Sequence, residues 1–253
     1  MHAPKGFAEV NHFIEHHFPI GAKVVVMHDD LKYIHKLTTD NDGKRKFKPL
    51  SEPAGAVEMF GLAFGIMRAN GLSLGGLLQT TNAQWAPKQE IGLNLKFIYD
   101  PLHFIISTKE APRCRPFHFD DLERTIYAYQ GDGGVMRLNR YAIDTLNEAY
   151  SPKAVGGLAG QRKFDEAQAA AARFIGEFKD YVGEFKPLKS GDGLRPNVKR
   201  LPFRPKHTED EGNTKRPPVS NSTSDRDLQL AASKQKQESD KVVEELRVSG
   251  KVP

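Results

Sequence analysis

The chain has 253 residues, enough for one large domain or a domain with a tail, and its hydrophobic fraction of 38% indicates that some segment stays outside the core. No apolar run approaches the roughly 18 residues that a membrane-spanning helix needs, so a membrane partner is not expected. The single cysteine, Cys114, excludes an intrachain disulfide and a CxxC metal site, whereas the net charge of +5 is informative only once its location is known.

The first third of the chain is expected to contain two helices separated by a short apolar segment and a loop. Residues 5–18 are predicted to be helical, and 22–27 to form a short buried strand or the start of another helix. Residues 38–53 are rich in turn formers and basic side chains, which indicates a loop. Pro53 stands where a helix can begin, and 54–71 is predicted to be that helix, with a glycine as its C-terminal cap.

The middle of the chain is expected to add one hairpin and three helices. Residues 91–109 have apolar runs around the turn "YDPL", which is typical of a β-hairpin. Helices are predicted over 120–130, 137–150 and 162–186, where apolar residues recur at three- and four-residue steps. The resulting fold class is mainly α: a helical core with one small β-hairpin.

The composition changes beyond residue 186. Residues 187–253 are rich in proline, glycine and charge, with 14 Lys/Arg and 10 Asp/Glu, so this segment carries +4 of the net charge. Such a composition predicts an extended or disordered basic tail. The expected organisation is therefore a helical core over 1–186, followed by the tail over 187–253.

One motif near the beginning of the chain is typical of a metalloenzyme. "HFIEH" (12–16) fits the H-x-x-E-H pattern of inverzincin peptidases, in which His12 and His16 would hold zinc and Glu15 would act as the general base. Glu90 is a candidate third ligand. The alternative interpretation is an amphipathic helix that packs its apolar residues and exposes its histidines, and on that interpretation no metal or cofactor is expected.

The polar face of the segment "RLNRYAIDTLNEAY" (137–150) raises a second question. On a helix, Arg137, Arg140 and Asp144 would lie on the face opposite the apolar residues. Arg140 and Asp144 are four residues apart, so they are expected to form an exposed ion pair worth a few tenths of a kcal/mol. The same residues are also candidates for contact with a ligand.

A series of short matches in one order resembles the coat proteins of the potyvirus family, which form flexuous filaments on plant viral RNA. The matches are "NGL" (70–72), "TTNAQW" (80–85), "YDPL" (99–102), "APRCR" (111–115), "HFDD" (118–121), "RYAID" (140–144), "SP" (151–152), "EAQAAAA" (166–172) and "KHTEDEGN" (206–213). The most specific of them is "RYAID", and together the matches extend over roughly 145 residues.

The resemblance implies a nucleocapsid protein of a virion or the host cytoplasm, not an enzyme. It would bind single-stranded RNA without sequence preference and self-associate into a helical filament. By position in the motifs, Thr81, Arg115 and Asp144 correspond to the RNA groove, with Arg140 as the partner of Asp144. Arginine can bind a phosphate through two hydrogen bonds, and an aspartate can orient an arginine or accept a hydrogen bond from a ribose hydroxyl.

Two other functions stay open on the sequence. One is the zinc peptidase that the HFIEH motif indicates. The other is a cellular nucleic-acid-binding protein that uses the basic tail over 187–253 as its main contact.

Overall fold

The structure, a computed structural model, describes residues 7–108, 114–115, 119–145, 164–187 and 194–205. Within these residues the dominant feature is a large mixed β-sheet with helices packed on it, and a second small sheet lies beside them. The prediction of a mainly α fold with one hairpin is therefore wrong. Two stretches with helix-like apolar spacing, in β7 (Met136–Thr145) and β8 (Val182–Pro187), form strands instead.

The described residues form four α-helices, one 3-10 helix and nine strands. The helices are α1 (Phe7–His17), α2 (Pro53–Ala69), α3 (Asp120–Asp132), α4 (Phe164–Glu177) and a short 3-10 helix (Ala83–Trp85). The strands are β1 (Lys23–Met27), β2 (Leu31–Thr39), β3 (Arg45–Pro49), β4 (Leu74–Leu78), β5 (Ile91–Gly92), β6 (Leu102–Ile106), β7 (Met136–Thr145), β8 (Val182–Pro187) and β9 (Leu194–Val198).

The large sheet has seven strands: six follow the order β1-β6-β4-β7-β2-β3, and the seventh, β5, pairs with β7. The β4–β7 pair is parallel, and the other described pairs are antiparallel. The small sheet is the antiparallel pair of β8 and β9. Because β4 and β7 are parallel, the chain between them has to cross over, and α3 lies in that crossover.

Each face of the large sheet is covered by helix. On one face α2 packs its methionines and Phe64 against β6 and β7, where Phe104 is fully buried. On the opposite face Tyr129 of α3 packs against β4 and β6 and against the segment between β5 and β6. Helix α4 in turn packs on α3 and the small sheet through Phe174 and Phe178. The described part of the protein therefore has three layers.

The segment predicted as a helix over 137–150 is a strand as far as residue 145, and 146–150 lie outside the described residues. The register between β4 and β7 shifts, since Leu77 pairs with Leu138 but the next residue, Leu78, pairs with Ala142. This bulge makes Leu138 and Tyr141 both face α2, although they are three positions apart and a regular strand would turn them to opposite faces. A bulged strand that is buried on both faces thus has helix-like spacing, which explains the wrong prediction.

Two other expectations about strands are also wrong. Residues 91–109 do not form a hairpin, because β5 pairs with β7 whereas β6 pairs with β1 and β4. The apolar residues between them, Leu95 and Ile98, are buried in the core and not in a strand. The predicted loop over 38–53 contains β3, an edge strand whose only apolar side chain in the middle is Phe47, so its sequence lacks the alternation that identifies most strands.

Several predictions are confirmed. Helices α1, α2 and α3 lie where they were expected, Pro53 is at the first position of α2, and 22–27 contains β1. The last predicted helix is α4, but it ends at Glu177, and the residues up to 186 turn into β8. No helix within the described ranges is long and apolar enough to cross a bilayer.

Part of the segment expected to be a tail packs against the rest of the protein. Strand β9 pairs with β8, and the backbone N–H of Arg204 donates to the carbonyl of Gly133 over 2.8 Å. Tyr129 also donates from its hydroxyl to the carbonyl of Pro202 over 2.6 Å. The described part of the tail is therefore an element of the fold, and residues 206–253 lie outside the described residues.

Candidate anion-binding site

Two cationic side chains approach each other where β5 meets β7. Arg137 of β7 is paired directly with Gly92 of β5. The Cγ atom of Lys96 lies 3.9 Å from the position that a Cβ atom on Gly92 would occupy. Met136 and Leu138 face α2, so Arg137 between them points to the opposite, α3 side of the sheet.

A third cationic side chain joins them from the described end of the tail. The backbone N–H of Leu95 donates to the carbonyl of Leu201 over 3.1 Å, which brings Arg200 beside Lys96. We call Lys96, Arg137 and Arg200 the cationic cluster. Its members come from three separate segments of the chain, so only the folded protein places these charges together.

The cluster is electrostatically unfavourable by itself. Partial burial and the charges of Arg137 and Arg200 lower the pKa of Lys96, and burial lowers the pKa of Arg137 to about 10. None of the three cations forms an ion pair with an Asp or Glu among the residues that the structure describes. Lys96 and Arg137 are partly buried, whereas Arg200 is exposed. Partly buried cations normally have acidic partners, so this arrangement indicates a candidate site for an anionic ligand.

Polar groups around the cluster fix it in place. The Nε atom of Arg137 donates to Oδ1 of Asn139 over 2.9 Å, while Nη1 and Nη2 form no hydrogen bond with a described residue. The Oδ1 atom of Asn94 lies 3.5 Å from the Cβ position of Gly92. An oriented guanidinium with two terminal nitrogens available, next to a lysine, is suited to bind a phosphate.

The cluster is connected to a segment that displays the protein's tryptophan. We call residues 80–90 the tryptophan segment. The side chain of Asn139 donates to the carbonyl of Gln89 over 2.9 Å, and its backbone N–H donates to the carbonyl of Glu90 over 2.7 Å. Trp85 is 62% exposed. The same asparagine therefore contacts both Arg137 and the tryptophan segment.

Two of the residues predicted from the sequence lie in or against the tryptophan segment. Thr81 is exposed in it, between β4 and the 3-10 helix. Arg140 is exposed on β7 and pairs with Glu90, with 3.0 Å between Nη1 and Oε2. The ion pair of Arg140 expected with Asp144 is thus made with Glu90.

The other two predicted residues lie elsewhere. Asp144 is partly buried near the end of β7, opposite Tyr33 of β2 and close enough to His35 for its charge to act on that imidazole. Burial, the larger effect, lowers the pKa of His35, and Asp144 opposes the shift. The structure does not bring Asp144 into the cationic cluster, and its contact with RNA stays a prediction.

Arg115 is held by carboxylates. Its Nε donates to Oε1 of the buried Glu123 over 3.0 Å, and its Nη1 lies 2.7 Å from Oε2 of Glu177. Burial, which would lower the pKa of Arg115, is outweighed by these two carboxylates, which raise it. The guanidinium carbon also lies 5.8 Å from the ring centres of Phe174 and Phe178. Its predicted contact with RNA would compete with these interactions.

The HFIEH motif lies on α1. His12 and His16 are one helical turn apart with 4.1 Å between ring centres, and Nδ1 of His16 lies 2.8 Å from the carbonyl oxygen of His12. Glu90, the expected third ligand, is the partner of Arg140. Among the residues that the structure describes, no group of three or more His, Cys, Asp or Glu is placed to hold a metal ion.

A buried polar cluster on the α3 side of the sheet has a structural role, because its members bind one another. His103 is fully buried, with Nδ1 2.9 Å from the carbonyl oxygen of Asp100 and Nε2 3.2 Å from Nη1 of Arg124. Arg124 donates and also pairs with the Asp100 carboxylate, so Nε2 accepts and the imidazole is neutral. Burial, together with the charge of His28, lowers the pKa of His103 to about 3. This histidine therefore links α3 to β6 as a hydrogen-bond bridge.

Sequence reasoning missed most of the cationic cluster. Arg137 was assigned to the polar face of a helix, and Arg200 to a basic run in the tail. The run around Arg200 contains no acid from Arg195 to Lys206, and that signal pointed to an anionic partner. Nothing in the sequence marks Lys96, because its proximity to the others depends on pairing between distant segments.

Comparison with known proteins leaves the chain without relatives that identify it. No family model matches it, and neither a curated protein nor a solved structure matches it. Its function is therefore inferred from the geometry of its own residues.

Proposed function

We propose that this protein binds single-stranded RNA without sequence preference, with phosphate groups bound at the cationic cluster. The observation that carries the proposal is the convergence of Lys96, Arg137 and Arg200 with no acidic partner in the described residues. A bound phosphate would neutralise positive charge of Arg137 and Arg200, which lowers the pKa of Lys96 in the free protein. Because the cluster offers charge and few shape-specific contacts, its affinity should depend little on sequence.

The β2–β3 hairpin supports the proposal with further positive charge. Residues 31–49 contain six Lys/Arg and two Asp, a net charge of +4 in one hairpin. Lys36 of β2 is directly opposite Lys48 of β3 and beside Tyr141 of β7, with Nζ of Lys36 5.8 Å from the Tyr141 ring centre, so these lysines lie on the α2 side of the sheet. The hairpin therefore adds to the positive charge that attracts RNA, but its lysine pair is not part of the cationic cluster on the α3 side.

The experiment that tests the proposal is a binding titration at several salt concentrations. The protein should bind oligo(U) and mixed-sequence RNA with similar affinity. The logarithm of the affinity should fall linearly with that of the salt concentration, at a slope of roughly −0.7 per phosphate contact. Absence of binding at low salt would overturn the proposal, and so would binding whose strength does not change with salt.

Assembly into a helical filament on RNA is the second part of the proposal, and its support is the order of the sequence matches with potyvirus coat proteins. A filament requires head-to-tail contacts that do not close into a ring. Electron micrographs of the protein with and without RNA test it separately. Filaments that form with RNA would support a nucleocapsid role, whereas discrete particles that bind RNA would leave a binding protein without a capsid role.

A further inference from the structure

Trp85 is exposed although the backbone that carries it is firmly attached. The ring side chain is 62% exposed, whereas the next residue, Ala86, is 6% exposed and packs with Leu37 and Phe47 of the β2–β3 hairpin. Exposing an indole to water forgoes the free energy of burying one of the largest apolar side chains. A flexible loop could avoid this cost by folding the ring inward. The attachment of the backbone at Ala86 instead keeps the ring of Trp85 in water.

Hydrogen bonds hold the tryptophan segment on both sides of the ring. Before it, the Asn82 side chain accepts from the backbone N–H of Gln84 over 3.0 Å and caps the 3-10 helix. After it, Arg45 of β3 donates from Nη1 to the carbonyl of Ala86 over 3.3 Å and from Nη2 to that of Pro87 over 3.1 Å. The carbonyl acceptors leave the charge of Arg45 intact, so a cation lies against the backbone that follows Trp85.

The tryptophan segment leads directly into β5, which pairs with the strand of Arg137, and its anchored part lies on the same side of the sheet as Arg137. Arg45 and Phe47 alternate with Lys46, so the residues that hold the tryptophan segment lie on the α3 side, as does Arg137. Seven residues lead from Trp85 to Gly92, the partner of Arg137, and this limits the separation to roughly 25 Å. A few nucleotides of single-stranded RNA can extend over such a distance.

We propose that Trp85 is a stacking platform for a nucleobase of a single-stranded ligand whose phosphates are bound at the cationic cluster. This inference rests on the proposed function and deepens it, because it makes the protein selective for single strands. In a duplex the bases are stacked on one another and their faces are not available to an indole. Stacking of bases on aromatic side chains, next to a positive groove, is the usual way in which proteins bind single strands without reading their sequence.

The test uses the fact that Trp85 is the only tryptophan in the chain. The full-length protein is titrated with oligo(U) of roughly 12 nucleotides and, in parallel, with a duplex of the same length, and both indole emission and binding are measured. We expect the single strand to quench the emission as it binds and the duplex to bind without comparable quenching. The variant W85A should bind oligo(U) roughly tenfold more weakly at an unchanged salt slope, and W85F should recover part of the affinity.

The outcomes separate this inference from the proposed function. If neither the protein nor its variants bind RNA, the proposed function fails. If the wild-type protein binds oligo(U) with normal salt dependence, but its emission does not change and W85A binds equally well, the stacking inference is overturned while phosphate binding stands. Thermal unfolding of W85A should match that of the wild type, because the ring is exposed, and a large loss of stability would contradict its assignment as a displayed ring.

Discussion

The Nε atom of Arg137 donates to Oδ1 of Asn139 over 2.9 Å, and the amide nitrogen of the same asparagine holds the carbonyl of Gln89. One polar side chain thus fixes both the guanidinium of the cationic cluster and the segment that carries Trp85. Because Asn139 is buried, this connection is part of the fold and does not have to form when a ligand arrives. The site is therefore arranged in advance, which lowers the entropic cost of binding.

The first prediction concerns Lys96 and Arg200, whose charges repel each other, with Arg137 also repelling Lys96. Lys96→Gln and Arg200→Gln should each weaken RNA binding about fivefold, equivalent to about 1 kcal/mol, and should reduce the salt slope by about 0.7. Neither should lower the melting temperature, since each removes a repulsive charge. Fluorescence anisotropy with labelled oligo(U) and thermal unfolding measure the two effects.

Arg173→Gln is the matched control for these variants. Arg173 is an exposed arginine on α4, so its substitution removes the same charge away from the cluster and should change affinity only slightly. If Arg173→Gln weakens binding as much as Arg200→Gln, binding depends on net charge alone, and the cluster is not the site.

How much of this fold the sequence predicts depends on whether an element's signal is local. α1, α2 and α3 were predicted because their apolar spacing, and Pro53 at the start of α2, are properties of short segments. Strand β7 was not predicted, because its bulge arises only from pairing with β4. No pattern within the sequence of β7 itself reveals that pairing. The bulge turned a two-residue step into the three-residue step between Leu138 and Tyr141.

The same limit applies to the candidate site. Thr81 lies in the tryptophan segment because its motif, "TTNAQW", is part of that segment, whereas Arg140 contacts it through Glu90, a partner that the motif "RYAID" does not indicate. Lys96 and Arg200 are 104 residues apart in the numbering and meet only through the Leu95–Leu201 hydrogen bond. A contact that depends on pairing between distant segments cannot be inferred from a single sequence by periodicity or spacing.

The second prediction is a loss of stability in mild acid. The pKa of His103 is lowered to about 3 in the folded state, so the unfolded protein takes up this proton first as the pH falls below about 6.5. Stability is therefore fully present above about pH 6.5 and is lost down to about pH 3, by up to about 1.4 kcal/mol per pH unit. Burial lowers the pKa values of His28 and His35 as well, which adds to the loss.

Urea unfolding at several pH values between about 4.5 and 7.5 measures this effect, in a range where most carboxylates stay ionised. In His103→Gln the free energy of unfolding should be lower at pH 7.5 but should change less with pH. His16→Ala, which alters an exposed histidine of α1, is the control and should keep the wild-type profile. A wild-type free energy that is constant from pH 7.5 to 4.5 would contradict the neutral, buried state of His103.

The third prediction concerns two glycines of the α3 end. Gly133 has a φ of 77°, and a Cβ atom there would collide with the carbonyl of Arg204, so Gly133→Ala should displace the segment 201–205. We expect a loss of about 2 kcal/mol or more, from the left-handed conformation and the steric conflict together. Gly131→Ala is the control: a Cβ atom there meets nothing within 4 Å, and the change should stabilise α3 by about 0.5–1 kcal/mol.

Differential scanning calorimetry of both variants distinguishes the two effects, and hydrogen exchange locates them. The amide of Arg204, which donates to the carbonyl of Gly133, should lose protection in Gly133→Ala and keep it in Gly131→Ala. Equal stability of the two variants would show that the segment 201–205 does not depend on close approach to Gly133. Since Arg200 directly precedes this segment and is placed beside Lys96 through Leu201, Gly133→Ala should also weaken RNA binding.

The last prediction separates the two roles considered for Arg115. The carboxylate of Glu123 is 1% exposed and is held by Arg115 and by the hydroxyl of Tyr127 at 2.9 Å. Burial and this hydrogen bond raise the pKa of Tyr127 to about 12. Arg115→Ala leaves a buried carboxylate without its counter-charge, so we expect a loss of about 3 kcal/mol in the free energy of unfolding.

Glu177→Gln is the matched control, since it removes only the exposed partner of Arg115 and should cost less than about 1 kcal/mol. Binding is then measured with oligo(U) at a temperature where both variants are folded. If Arg115 acts only as a structural residue, folded Arg115→Ala binds RNA with an affinity close to that of the wild type, because the cationic cluster is intact. A loss of binding in a variant that unfolds like the wild type would instead support the RNA contact that the sequence resemblance implies, since Arg115 would then contribute to the ligand and not to the stability of α3 and α4.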